Sequence, residues 1–85
     1  MMPTSPDARR LAAAGEMLYG PRWQSPLARA AGIPQSLLSM ISGGARPMTD
    51  DVRRRIVAAL KTEAARLRLT ADKLDRLLTD IEAVG

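Results

Sequence analysis

The segment 23–47, WQSPLARAAGIPQSLLSMISGGARP, constrains the fold more than any other part of the chain. Apolar residues recur in it at the three- and four-residue spacing of a helix, on both sides of Gly32. They are Leu27, Ala28 and Ala31 before the glycine, and Leu38 and Ile41 after it. Glycine reaches left-handed backbone angles at no steric cost, which suits a chain that reverses within a few residues. The segment therefore predicts two short helices joined by a tight turn.

Cap and stop signals divide the whole chain into four helices and predict an all-α fold. The predicted limits are, in order, Ser5 to about Tyr19, Ser25 to Gly32, Pro34 to near Gly43-Gly44, and a start at Thr49. In the fourth helix Val52, Ile56 and Leu60 step by four, so they should close the core over the other three helices. Trp23 and Tyr19, the only aromatic residues, are expected in that core.

The positive charge of the chain is unevenly distributed. Lys and Arg number 13 against 9 Asp and Glu, which gives a net charge of +4. Residues 1–62 hold nine basic and four acidic side chains, whereas residues 63–85 hold four basic and five acidic ones. Since basic surfaces attract polyanions, we expect any polyanion site within residues 1–62.

The chain has no Cys and no His, which excludes disulfides, the usual zinc sites and imidazole acid–base chemistry. Its serines have no histidine to activate them, so we expect no catalytic residue and no enzyme activity. We also expect no metal and no cofactor. No apolar run approaches about 20 residues and the N-terminus lacks a signal-peptide core, so a cytoplasmic protein without membrane contact is expected.

A seven-residue repeat of apolar side chains follows from Leu60 onward. Its members are Leu60, Ala64, Leu67, Ala71, Leu74, Leu78 and Ile81, with spacings that alternate four and three. That alternation is the seam of a coiled coil, and no Gly or Pro interrupts residues 48–84. We therefore predict that residues 63–85 form a dimerisation helix, with an interface made by Leu67, Ala71, Leu74, Leu78 and Ile81. In a parallel pair, Glu63 of one chain would face Arg68 of the other.

A second interpretation of the same repeat is a hairpin. Thr70 would then cap a new helix, and the segment from Leu74 to Ile81 would fold back on its own chain. A continuous helix of about 35 residues would instead be roughly 50 Å long at about 1.5 Å per residue, and its far half would need a partner.

Residues 22–60 resemble the helix-turn-helix of the Cro and phage-repressor family of DNA-binding regulators. The matching residues are Gln24, Leu27, Ala28, Gly32, Ile33, Gln35, Ser36, Leu38, Ile41, Gly44, Arg46 and Pro47. The chain departs from the family at Pro34, where Ser or Thr usually caps the recognition helix, at Met40, where Arg or Lys is frequent, and near Gly43, where Asn or Glu is frequent. The resemblance implies a lambda-repressor-like head of four short helices, residues 1–62, whose fourth helix is here extended into the coiled coil.

The same resemblance implies double-stranded DNA as the partner. An α-helix fits the major groove, and its outward residues can meet base edges. With Leu38 and Ile41 turned inward, the base-reading side chains are expected to be Gln35, Ser36, Ser39 and Met40. The residues expected to contact phosphates are Arg22, Gln24, Ser25, Arg46 and Arg53; Gln24 matches the family residue that grips the DNA backbone. Of the run Arg53-Arg54-Arg55, the arginines that do not reach DNA should be solvated or paired with Asp50 and Asp51.

These expectations combine into a dimeric, sequence-specific repressor or autoregulator of a small, prophage-like operon, acting on a two-fold symmetric operator. The alternative is a protein-interaction module, such as an antitoxin that binds its partner through the C-terminal helix.

Overall fold

The computed structural model describes residues 5–84, and the regular structure in that range is entirely helical. The helices are α1 (Pro6–Tyr19), α2 (Gln24–Ala31), α3 (Gln35–Ser42) and α4 (Asp50–Val84), with a single 3-10 turn, Gly20–Arg22, between α1 and α2. The predicted all-α class is confirmed. Over the described residues, no helix combines the length and the apolar character needed to cross a bilayer.

The first and last helices begin at the caps that the sequence predicts. Ser5 Oγ accepts the N–H of Ala8 at 3.1 Å, and Thr49 Oγ1 accepts the N–H of Val52 at 3.3 Å. The predicted cap of α2 was wrong by two residues, because Trp23 rather than Ser25 occupies the N-cap and Ser25 lies inside the first turn. The 3-10 turn leads directly into α2. Pro26 is tolerated in the first turn of α2 because the N–H groups there have no helical partner in any case.

Gly32 makes the predicted turn between α2 and α3. Its φ of 70° and ψ of 35° are left-handed, a conformation that costs most other residues a steric clash. The N–H of Ile33 reaches back to the carbonyl of Ala28 at 3.0 Å, which closes α2 in the manner of a Schellman motif. The two helices are therefore joined by only three residues, 32–34.

The core lies between the first three helices and the beginning of α4. Its largest fully buried side chains are Leu27 of α2 and Leu38 of α3. Trp23 is 5% exposed and lies against Gly15 of α1, where an added Cβ would come within 2.6 Å of Trp23 Cδ2. The packing of the indole thus requires glycine at that position.

On α4 the buried residues differ slightly from the expected set. Val52 and Ile56 are buried as predicted, but Ala59 rather than Leu60 is the next buried residue, with Leu60 packed at the edge of the core. The stripe 52, 56, 59 follows the 3.6-residue turn of a helix, whereas a strict step of four drifts away from the core.

Beyond the core, α4 continues without a break. Thr70 Oγ1 donates to the carbonyl of Arg66 at 2.9 Å, inside the helix, so Thr70 does not cap a new one. The hairpin interpretation was therefore wrong. Glu63 and Ala64 are partly buried, and residues 65–83 of α4 are exposed throughout. We call residues 5–64 the head and residues 65–83 the tail; together they span 59 Å along the longest axis.

Candidate nucleic-acid interface

A polar concavity lies where α2 and α3 begin. Its lining consists of Pro21, Arg22, Gln24, Ser25 and Gln35. Four of the residues predicted to bind DNA thus meet at one place, although they come from the 3-10 turn and from two different helices. The short connection at Gly32 brings the start of α3 back to the start of α2 and so builds this site.

The two helices at the concavity begin without a capping side chain. Neither Trp23, at the start of α2, nor Pro34, at the start of α3, provides one, whereas α1 and α4 are capped by Ser5 and Thr49. The first N–H groups of a helix have no intrahelical partner and carry partial positive charge. The backbone N–H groups at the starts of α2 and α3 can therefore bind an anion.

Gln24 fixes α3 against α2 through both polar atoms of its side chain. Its Oε1 accepts from Ser39 Oγ at 2.8 Å, and its Nε2 donates to Ser42 Oγ at 3.2 Å. Ser42 Oγ also donates to the carbonyl of Ser39 at 3.2 Å. Both polar atoms of the Gln24 side chain are thus engaged in hydrogen bonds within the protein.

The outward face of α3 agrees with the expectation at three of four positions. Gln35, Ser36 and Met40 are exposed, Met40 at 37%. Ser39 differs, because it is half-buried and turned toward Gln24 rather than outward. Sequence spacing could not show this, since Ser39 lies near the boundary between the buried and exposed faces of the helix and its partner is on another helix.

Arg46 lies at the opposite end of α3 from Arg22. The N–H groups of Ala45 and Arg46 both bond to the carbonyl of Met40, at 2.8 and 3.2 Å, so the loop is held against the last turn of α3. The Arg46 side chain is exposed. Since Arg22 shares the concavity with Gln35 at the start of the helix, the exposed face of α3 lies between two cationic loops.

Arg53, which was expected to contact a phosphate, forms an ion pair with Asp7. Its Nη2 lies 2.7 Å from Asp7 Oδ2 of α1, and this hydrogen bond, with the charge behind it, holds the pKa of Asp7 below its ordinary value. Arg55 pairs with Asp51 at 3.0 Å, as expected for one member of the arginine run. The pairing of Arg53 with Asp7 was not predicted, because Asp7 is far away in sequence and becomes a neighbour only when α1 folds against α4.

Comparison with family models, with curated proteins and with solved structures gave no match. The inference of function therefore depends on the chemistry of the residues at this surface.

Proposed function

We propose that the protein is a sequence-specific double-stranded DNA-binding regulator of the Cro and phage-repressor type, with α3 as the helix that enters the major groove. The observation that carries this proposal is the position of an exposed, polar helix face between Arg22 and Arg46. A helix is narrow enough for the major groove, and cations on either side of it can contact the phosphates that border the groove.

Three side chains on α3 are assigned to the bases. Gln35 can form two hydrogen bonds with adenine, Ser36 can donate to or accept from several bases, and Met40 can contact the methyl group of thymine. Ser39, although first expected among them, is assigned to positioning together with Gln24, because their mutual hydrogen bond sets α3 against α2.

Phosphate contacts are assigned to the concavity and to the loop after α3. Arg22, with the backbone N–H groups of Gln24 and Ser25, would hold one phosphate at the start of α2. Arg46 would hold another at the far end of α3. Arg53 could contact a phosphate only by leaving Asp7, so it contributes least.

The tail supports a homodimer. Residues Leu67, Ala71, Leu74, Leu78 and Ile81 are all exposed in the single chain and carry the coiled-coil repeat. A dimer would present two heads to a two-fold symmetric operator. This arrangement suits a cytoplasmic repressor or autoregulator of a small, prophage-like operon.

The test begins with selection of bound sequences from random duplex DNA, followed by titration of the selected site and of a scrambled duplex. Gln35→Ala should weaken binding to the selected site by about 1–3 kcal/mol, leave the scrambled duplex unaffected, and relax preference at one base pair per half-site. Arg46→Ala should weaken binding to both duplexes and make the logarithmic salt dependence shallower, by about 0.9 for each phosphate that the variant no longer neutralises.

Arg76→Ala is the matched control, because it removes the same charge from the exposed tail, far from α3. It should leave both affinities nearly unchanged. The proposal fails if no duplex is selected, or if binding is insensitive to salt. The assignment of α3 to the major groove is refuted if Gln35→Ala lowers the affinity for both duplexes equally.

A second candidate function is supported by the same tail. Its exposed leucines could bind a different protein, as in an antitoxin that covers a toxin with its C-terminal helix. Co-purification of a 1:1 complex with the product of a neighbouring reading frame, abolished by Leu74→Glu, would favour that function.

A further inference from the structure

The apolar face of the tail has no partner within the described residues. Leu67, Leu74, Leu78 and Ile81 are 44%, 53%, 45% and 68% exposed, and they follow one another along one side of α4. Covering such a stripe with a second surface is favourable, because it removes apolar area from water. The charged side chains beside the stripe indicate which partner could cover it and in which orientation.

One edge of the stripe carries four charges spaced by seven residues. In order along the helix they are Lys61, Arg68, Asp75 and Glu82. The half nearer the head is basic and the far half is acidic. When this edge lies against its own copy in the opposite direction, the basic half of one row faces the acidic half of the other.

We propose that α4 pairs with α4 of a second copy of this chain in antiparallel orientation, over residues 64–81 of each subunit. In this register Leu67 faces the partner's Leu78, Ala71 faces the partner's Leu74, and Ala64 faces the partner's Ile81. Each alanine therefore meets a large side chain. A parallel pair would instead place alanine against alanine at 64 and again at 71, which leaves two thin layers in the interface.

Charge selects this register among the antiparallel ones. Residues that flank the seam on the same edge face each other in an antiparallel pair, so Lys61 meets the partner's Glu82, and Arg68 meets the partner's Asp75. By symmetry each ion pair occurs twice. A shift by one heptad in either direction would bring Arg68 against the partner's Arg68, or Asp75 against the partner's Asp75.

A parallel pair has less to gain from charge. Its one attractive contact joins Glu63 to the partner's Arg68, but the Glu63 side chain is only 18% exposed and is already bonded to Arg66 of its own chain. That bond also holds the pKa of Glu63 below its ordinary value. The antiparallel register leaves this intrachain pair intact.

The length of the exposed helix agrees with the same register. Glu63 and Ala64 are partly buried by the head, so a partner helix has free access only from about residue 64 onward. Pairing residues 64–81 uses nearly all of the tail, about 26 Å of helix at about 1.5 Å per residue. The two heads then lie at opposite ends of the paired helices.

This placement has a consequence for the operator, which rests on the proposed function. Leu37 and Ile41 of α3 lie beside Val52, near the start of α4. With about 20 residues between Val52 and the midpoint of the pair, the two α3 helices would be roughly 60 Å apart along the axis. One turn of B-DNA is about 34 Å, so half-sites should be spaced by about two turns rather than one.

Charge variants measured by sedimentation equilibrium, without DNA, test the orientation. Asp75→Arg places Arg against the partner's Arg68 in both symmetric contacts and should raise the dimer dissociation constant by about tenfold or more. Asp72→Arg makes the same charge change on the outer face of the helix and is the matched control. Adding Arg68→Glu to Asp75→Arg should restore the dimer, because opposite charges again face each other. In a parallel pair that double variant would set Glu against the partner's Glu63 and would not recover.

Cysteine cross-linking gives a second measurement, since the native chain has no cysteine. A mixture of Leu67→Cys and Leu78→Cys chains should oxidise to a mixed disulfide dimer, whereas Leu67→Cys alone should not cross-link. Efficient cross-linking of Leu67→Cys alone would overturn the orientation. A monomer in the wild-type protein at about 100 μM, or a tail covered only by a different protein, would overturn self-pairing. Because these measurements use no DNA, loss of DNA binding alone leaves the pairing intact and refutes only the proposed function.

Discussion

The head and the tail use apolar side chains in opposite ways. In the head, leucines such as Leu27 and Leu38 are completely buried, and two helix starts are capped by side chains. In the tail, leucines of the same size are about half exposed on a continuous helix whose residues 65–83 are all exposed. The head thus buries its large apolar side chains, whereas the tail leaves its leucines exposed to water. The two regions should therefore respond differently to the same substitution.

The largest expected contrast comes from shortening one leucine in each region. Leu38→Ala should lower the free energy of unfolding by about 2–5 kcal/mol, because it leaves a cavity in a fully packed site. Leu69→Ala should change it by less than about 0.5 kcal/mol, because Leu69 is 56% exposed and lies off the coiled-coil seam. Urea unfolding followed by the fluorescence of Trp23 measures both. Equal losses would show that the tail is packed in solution in a way that the single chain does not reveal.

A smaller effect is expected at the joint between α2 and α3. Gln24→Ala removes both side-chain hydrogen bonds to α3 and should lower the free energy of unfolding by about 1–2 kcal/mol. Gln35→Ala is the control, because it shortens the same residue type on the exposed face and should leave stability unchanged. If Gln24→Ala is neutral while Gln35→Ala destabilises the head, the hydrogen bonds of Gln24 do not hold the joint.

The smallest effect concerns the pH dependence of the α1–α4 contact. Because Arg53 lowers the pKa of Asp7 in the folded chain, this pair stabilises the fold above the unfolded pKa of 3.8, and the contribution disappears as the pH falls through the lowered folded value. Both side chains are exposed by two-fifths or more, so solvent screens the pair and its contribution to stability is small.

Thermal unfolding at pH 7 and at pH 2.5 measures this contribution. Asp7→Asn should lower the melting temperature slightly at pH 7 and by less at pH 2.5. An equal decrease at both values would assign the effect to helix capping or packing rather than to the ion pair.

The extent of the helices was largely predictable from local sequence. Caps at Ser5 and Thr49 and the glycine at position 32 act within a few residues, so their effects can be inferred without knowing the fold. The seven-residue repeat did not decide whether α4 is continuous, because the same spacing suits a long helix or a hairpin broken at Thr70. The structure decided for the long helix, in which the Thr70 hydroxyl bonds back to the preceding turn.

What the sequence determined by itself is therefore the helical fold and most of the apolar positions of the core, together with the candidate residues for the proposed DNA-binding surface. The tertiary structure decided which polar groups are already engaged: Ser39 with Gln24, and Arg53 with Asp7. It also placed Trp23 against Gly15, a contact for which neither residue carries a signal of its own. The physical reason is the same in each case. Helical periodicity specifies which way a side chain points, but a hydrogen bond or a close contact between helices depends on how those helices are packed together.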